Sequence, residues 1–395
     1  MRFAEFADEW QITSLSNLGS FTSGTGFPEK YQGDTSLDIP FYKVSDMNLP
    51  RNTKYMLDVN NTVDDSIIKQ LRTRSIDTPS IVFAKVGAAI FGERKRIVKH
   101  RFLIDNNMMA FTPNNQIDLE FCHACFYRTK LSHYTQIGAL PSYNASDLSI
   151  INFGVPSMEE QRKIAKFIIL IDNKIEKHAC LVEHLKKYKR GVVKTLLDPK
   201  QNQRQGVTWT TDTIGNLGTF IKGAALSKAD ISDFGTPFIL YGELYTTYKE
   251  VVRSIVRTTQ ASVDDVYLSK IGDVVIPTSG ETPEEISTAS CIMVPNVILA
   301  GDLNIYRSTI VDGRIMSYLL NHIVNEQIAR VAQGKSVVHV QASEVGKISI
   351  TYPDHNEQER IAQILELIDN RIAVSEKNLS SMQKMKKALL QQIFI

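Results

Sequence analysis

One stretch of this chain is written twice. Pro156–Ile175 (PSMEEQRKIAKFIILIDNKI) lies over Pro353–Ile372 (PDHNEQERIAQILELIDNRI) at an offset of 197 with no gap, and ten of the twenty positions are identical. Composition alone gives about one or two. A second match lies upstream: Trp10, Asn17, Leu18, Gly19, Phe21 and Gly24 align with Trp209, Asn216, Leu217, Gly218, Phe220 and Gly223 at an offset of 199. A third pairs Ser146-Asp147-Leu148 with Ser343-Glu344-Val345. Between these markers the halves hardly resemble each other. The period is far too long for a solenoid. The chain therefore reads as two copies of one domain-plus-helix unit, in which the matched parts are a frame and the divergent parts are what the frame presents.

Composition bounds the functions open to such a frame. The 395 residues suit two to four domains. A hydrophobic share of 43% and a charged share of 22% exclude a disordered or fibrous chain. The formal net charge is only +2, so any nucleic-acid surface must be local. Cys122, Cys125, Cys180 and Cys291 are few, which suits a reducing compartment. Cys122 and Cys125 form a Cys-x-x-Cys, but a structural zinc site needs two more ligands at similar spacing, and small buried residues on a helix are the simpler reading. The charged N-terminus is unlike a signal peptide, and the longest aliphatic run, Phe167–Ile171, is far short of the roughly 20 residues of a membrane span. The expected location is cytoplasmic.

The repeated segments predict two long helices. Each begins with a Pro and early acids, which suit a helix start and its dipole. Apolar residues then recur at alternating steps of four and three: Ile164, Ile168, Ile171, Ile175, Val182, Leu185, Val192 and Leu196, and Ile361, Leu365, Ile368, Ile372, Leu379, Met382, Leu389 and Ile393. The seam is interrupted at matching places, His178 and Ser375, Lys189 and Lys386. This is a coiled-coil period. An antiparallel pairing sets Ile164 against Ile393, Ile168 against Leu389, Ile175 against Met382, Leu185 against Ile372 and Leu196 against Ile361. Asp172 and Asp369 occupy equivalent positions on the flank; a solvated face and a capping or partner-binding role both fit them.

The intervening regions carry short β-branched and aromatic runs broken by Gly, Pro, Asn and Asp, which read as strands and turns, with short helices near Leu119–Leu131 and Ile315–Val331. The expected fold class is α+β: two globular domains separated by a long antiparallel two-helix coiled coil, with an internal pseudo-two-fold repeat. The boundaries read 1–155, 156–200, 201–352 and 353–395. In the first domain Lys85 and the stretch Gly92–Arg101 form a basic cluster that suits either a phosphate backbone or a solvated loop. The second domain offers Lys222, Thr278–Glu281 and Lys335–Gln341, whose hydroxyl, amide, imidazole and carboxylate groups can read base edges. Gly334-Lys335-Ser336 fails as a phosphate loop because position 329 is Ala where Gly is required. No tetrapeptide of an amino-methyltransferase and no hydrolase, metalloprotease or dinucleotide motif is found, so no catalytic residue, metal or cofactor is assigned.

The doubled Pro-x-x-x-Glu-Gln-x-x-Ile-Ala, followed by Ile-Asp-x-x-Ile and a Leu/Lys-rich tail, resembles the specificity subunit of type I restriction–modification systems, with Arg2-Phe-x-x-Phe-x-x-x-Trp10, Leu18-Gly19 and Lys386–Phe394 in support. The first copy departs from the tail pattern at Lys189–Leu197, where Gly191 softens the helix end. The resemblance implies two target recognition domains on double-stranded DNA, each reading one half of a bipartite asymmetric site. It implies helices that set the spacer and dock two methyltransferase subunits, which use S-adenosylmethionine, and restriction/translocase subunits that complete the nuclease. Its candidate DNA contacts are Lys43, Ser45, Asp46, Lys85, Arg94, Lys95, Arg96 and Tyr143 in the first domain, and Tyr241, Thr278, Ser279, Lys335, Ser336 and His339 in the second. Its candidate spacer and docking residues are Glu160, Gln161, Ile164, Ile168, Ile171, Asp172 and Ile175, and Glu357, Gln358, Ile361, Leu365, Ile368, Asp369 and Ile372. Two rival readings are a coiled-coil interaction protein without a DNA role and a nucleotide-dependent enzyme built on the Gly334 loop.

Overall fold

The computed structural model describes residues 3–394 except 137, 139, 203, 205 and 333–337. The chain divides into two compact units, Met1–His178 with Asn378–Ile395, and Ala179–Lys377.

In the first unit, β1 (Gln11–Ser14) pairs antiparallel with the last strand of the domain, β9 (Asn152–Val155). Between them run β2 (Gly19–Ser23), β3 (Ile39–Tyr42), β4 (Thr62–Val63), β5 (Ser80–Ala84), β6 (Lys95–Val98), β7 (Leu103–Ile104) and β8 (Met108–Pro113). They form a four-stranded sheet, β2-β8-β5-β6, and a three-stranded sheet, β4-β3-β7. Helix α1 (Leu119–Arg128) follows; its N-cap Asp118 accepts hydrogen bonds from the Glu120 and Phe121 amides. The core joins Leu15, Leu18, Phe83, Phe111, Phe121 and Phe126 to Ile164 and Ile168 at the start of α2 (Met158–Leu196), and to Leu390 and Phe394 at the far end of the chain. Cys122 and Cys125 belong to this core, and burial pushes both thiols up.

The second unit has β10 (Trp209–Thr213), β11 (Gly218–Lys222), β12 (Thr236–Leu240), β13 (Val251–Val252), β14 (Thr258–Thr259), β15 (Asp273–Pro277), β16 (Ser279–Gly280), β17 (Ser290–Ile292), β18 (Ile298–Ala300), β19 (Leu303–Ser308), β20 (Val338–His339) and β21 (Ser349–Pro353). Its sheets are β11-β19-β15-β17-β13 and β14-β12-β18, while β10 closes on β21 and β16 on β20. Helix α3 (Gly313–His322) is followed by a shorter helix, Asn325–Val331, so the single helix expected there is interrupted. Apart from β13 and the β16–β20 pair, the strand order repeats that of the first unit. The duplication thus extends through regions where the sequences have diverged.

The repeated Leu-Gly is explained by this frame. Leu18 and Leu217 are buried, and a Cβ at Gly19 or Gly218 would lie 2.3 Å from Thr112 O or 2.5 Å from Arg307 O. Only Gly allows the strand to approach its neighbour so closely.

α2 and α4 (His355–Ile393) each run 39 residues, about 58 Å at the ordinary rise. Their pairing is antiparallel within each unit. The start of α2 packs with the end of α4 in the first unit, and the start of α4 (Ile361, Leu365) packs with the end of α2 (Val193, Leu197) in the second. Near its C-terminus each helix departs from the expected seam by one residue. Val193, Leu197, Leu390 and Phe394 are the buried positions, not Val192, Leu196, Leu389 and Ile393. A straight helix of 3.6 residues per turn drifts off a strict seven-residue repeat. The drift turns these ends toward the domain cores.

Candidate nucleic-acid interface

The Glu-Gln signature is a clamp between each long helix and its own domain. Gln161 Oε1 accepts from the Asp118 amide (2.8 Å), and Nε2 donates to Pro156 O (2.9 Å) and Gln116 O (3.0 Å). Gln358 repeats this on the Asp312 amide (2.7 Å), Pro353 O (2.9 Å) and Ile310 O (3.4 Å). Glu160 accepts from Trp10 Nε1 (3.4 Å), and Glu357 accepts from Asn202 Nδ2 (2.8 Å) and pairs with Arg204 (3.3 Å). All four side chains are buried, so they are internal fasteners and present nothing to a partner. Ile164, Ile168, Ile361, Leu365 and Ile372 are likewise buried, while Ile171, Ile175 and Ile368 are half-buried.

The interrupted seam has a reciprocal explanation. Lys189 Nζ lies 2.6 Å from Asp369 Oδ1, and Lys386 Nζ lies 2.5 Å from Asp172 Oδ1. The two seam lysines meet the two repeat-matched aspartates. Asp172 also receives Lys54 Nζ at 2.9 Å, and Asp369 accepts from the Tyr318 hydroxyl. Of these four groups Lys189 is buried, and Asp369, Lys386 and Asp172 are half-buried.

In the first domain most of the basic stretch is spent internally. Lys95 is buried, pairs with Glu93 and donates to Thr129 O (2.9 Å). Arg96 Nε donates to Asn52 O (2.6 Å), Lys99 pairs with Glu120 (2.7 Å), and Arg101 pairs with Asp65 (2.6 Å). Arg94 is exposed and makes no hydrogen bond or ion pair among the described residues. Tyr143 is buried and its hydroxyl donates to Ala84 O. Asp46 is also buried: it accepts from the Lys43 amide (2.7 Å) and Asn60 Nδ2 (2.6 Å) and closes the turn after β3. Lys95, Tyr143 and Asp46 are therefore corrected to structural residues, because their polar atoms are saturated away from solvent. Lys43 is half-buried, with Nζ donating to Gln32 Oε1 (2.9 Å), and Ser45 is exposed.

Glu243 repeats Asp46 in the second domain, accepting from the Leu240 amide (3.3 Å) and Arg257 Nε (2.9 Å). Both acids sit six residues after a Pro-Phe, at Pro40 and Pro237, again 197 apart. The shared spacing from Pro-Phe is the sequence signal for this pair.

Of the remaining candidates, Lys85, Thr278, Ser279 and His339 fall at one equivalent place in the two folds. In the first domain Lys85 N donates to Asn107 O (2.8 Å), and Val86 bridges Ser142. In the second, Thr278 N donates to Asp302 O (2.8 Å), and Ser279 pairs with His339. Lys85, with the exposed Arg94 nearby in chain, thus matches Thr278, Ser279 and His339 in position. Asn107 and Asp302 were not foreseen, since only the strand pairing brings them in. Tyr241 lines a cleft of about 870 Å³ that Asp302 also borders. Lys335 and Ser336 lie outside the described residues.

Residues 7–186 and 206–383 each match the family model described as "Type I restriction modification DNA specificity domain". The chain belongs to this family. Among solved structures, it is similar to the type I restriction–modification S subunit from M. genitalium at 14% identity and a TM-score of 0.61, covering 100% of this chain and 99% of that one. It is also similar, at 14% identity and a TM-score of 0.58, to a chain from a study titled as the structural basis of complex assembly and conformational transition of the type I R-M system, covering 99% and 98%. These likenesses show the fold. Membership in the family, with two matched DNA specificity domains, makes the chain the DNA-recognition component of a type I system. Among the described residues no helix is long and apolar enough to cross a membrane.

Proposed function

We propose that this chain is the non-catalytic reader of a type I complex, with each domain contacting one half of a bipartite, asymmetric duplex site and the paired helices fixing the unread spacer. The carrying observation is one topology built twice with different side chains at the equivalent loop position, Lys85 and Asn107 against Thr278 and Asp302. Two readers with unlike chemistry give an asymmetric site. Methylome sequencing of a host carrying the chain and its methyltransferase should show two short specified blocks around unspecified bases. A continuous motif would refute the reading.

Arg94 is the proposed phosphate contact of the first domain. Arg94→Ala should weaken DNA binding and lower the salt slope by about 0.9, one phosphate's share. Arg96→Ala is the less informative variant because Arg96 holds Asn52. A slope unchanged in a binding titration across salt concentrations removes Arg94 from the interface.

Two methyltransferase subunits, which would supply S-adenosylmethionine chemistry, and the restriction/translocase subunits complete the proposed complex. Docking is supported by apolar residues left exposed on the long helices at repeat-matched positions: Leu170 and Leu367, and Tyr188 and Met385, all at least 60% exposed. Isolated exposed apolar residues are ordinary, but the duplication fits a partner present in two copies. Leu170→Asp with Leu367→Asp should abolish methyltransferase co-purification, and each single variant should leave a complex with one methyltransferase by native mass spectrometry. Full occupancy in the double variant would place docking elsewhere.

A further inference from the structure

The turn from β18 to β19 places Asp302 in the lining of the second-domain cleft together with Tyr241 and Tyr245, whose ring centroids lie 6.5 Å apart. Leu226 and Leu240 supply apolar lining. Asp302 is held from two sides. Its carbonyl receives the Thr278 amide (2.8 Å), and its Oδ2 accepts from the buried Ser279 hydroxyl (3.0 Å). The Ser279 oxygen also lies 3.0 Å from His339 Nδ1. With the hydroxyl proton committed to Asp302, Ser279 accepts from the imidazole N–H. Asp302 Oδ1 faces no hydrogen-bond partner among the described residues, and the side chain is exposed.

An ionised carboxylate only accepts hydrogen bonds. In the major groove the donors on base edges are the amino groups of cytosine N4 and adenine N6. We infer that Asp302 reads such an exocyclic amino group in the half-site of the second domain, with Ser279 as the residue that positions it. At the equivalent place the first domain carries Asn107 and Lys85, an amide and a cation, so the two domains ask for different edges there. The inference rests on the DNA-reading role proposed above and assigns the chemistry of one contact within it.

The test compares wild type and Asp302→Asn, each in complex with the cognate methyltransferase. Asparagine keeps the shape, but its single carbonyl oxygen takes the Ser279 hydroxyl where Oδ2 stood, which turns the Nδ2 donors outward in place of the acceptor Oδ1. Methylomes from the two should differ by relaxation at one base position in one half-site, with the other half-site unchanged. Binding to duplexes in which the amino group at that position is deleted (purine for adenine, 2-pyrimidinone for cytosine) should fall about tenfold or more for wild type, and not for Asp302→Asn. Ser279→Ala should relax the same position with an unchanged melting temperature. An identical motif in Asp302→Asn, or equal losses on amino deletion in both proteins, overturns the assignment. A wild-type methylome without two separated blocks overturns the DNA-reading role instead, so the two failures are distinguishable.

Discussion

Lys189→Met should lower the stability of the chain by about 3 kcal/mol, read as a lower urea midpoint with an unchanged m-value. The ammonium is 8% exposed and lies 2.8 Å from Glu250 Oε2, 2.6 Å from Asp369 Oδ1 and 5.0 Å from the Tyr318 ring centroid. Methionine retains the stem and removes the charge that two carboxylates share. Removing one partner of a buried pair costs about 3–5 kcal/mol. The lower end is expected because Glu250 keeps His322 (2.7 Å) and Asp369 keeps the Tyr318 hydroxyl. Lys386→Met, at the repeat-matched position, should cost less, since that side chain is 20% exposed.

The same network sets an acid limit. Burial alone would raise the Glu250 carboxyl, but the hydrogen bond from His322 and the charge of Lys189 outweigh it and bring the pKa down from 4.5 to about 2. A carboxyl depressed on folding contributes its stability above the unfolded value and loses it as pH falls through the folded one. The contribution is therefore complete above pH ~4.5 and disappears toward pH ~2. In Lys189→Met the unfolded pKa is unchanged and the folded one is less depressed, so the acid loss should be smaller and end at a higher pH, because burial is then opposed by the His322 and backbone hydrogen bonds without the ammonium. Acid titrations that superimpose for the two proteins would remove Lys189 from this role.

The helical frame was legible because long periodic segments leave a strong pattern. The seam over the first part of each helix and the matched interruptions at Lys189 and Lys386 follow from spacing, and the antiparallel sense follows from the domain that lies between the helices in the chain; the one-residue drift to Val193 and Leu390 does not. The partners of those lysines are not legible in the pattern, although Asp172 and Asp369 stand out as repeat-matched acids, because no periodicity argument links a seam position to a flank position. The domain interiors were far less legible. Strands such as β7 and β13 are two residues long and pair in parallel with segments distant in the chain, so local pattern says little about them. That is why Asn107 and Asp302 went unseen, and why Lys95, which looks like part of a basic surface, is buried: the strand β6 alternates its side chains, and Glu93 and the Thr129 carbonyl await it inside.

Gln161→Leu tests what the doubled Glu-Gln signature is for. Leucine matches the volume of the amide and removes every polar atom. It strands the Asp118 amide and two carbonyls, Pro156 O and Gln116 O, beneath a side chain only 1% exposed. Each buried group left unpaired costs about 1–3 kcal/mol, so a loss of about 3 kcal/mol is expected for the single variant. The damage is local, because Asp118 caps α1 and Gln161 sits in the first turn of α2; the clamp fixes the angle at which the long helix leaves the domain. Gln358→Leu should cost a similar amount in the second unit, where the Asp312 amide and Pro353 O are stranded in the same way. Denaturant unfolding of the isolated chain measures both. If the signature instead served a partner, Gln161→Leu would leave the isolated chain as stable as wild type and lose only the methyltransferase, and the fastening role would have to be abandoned.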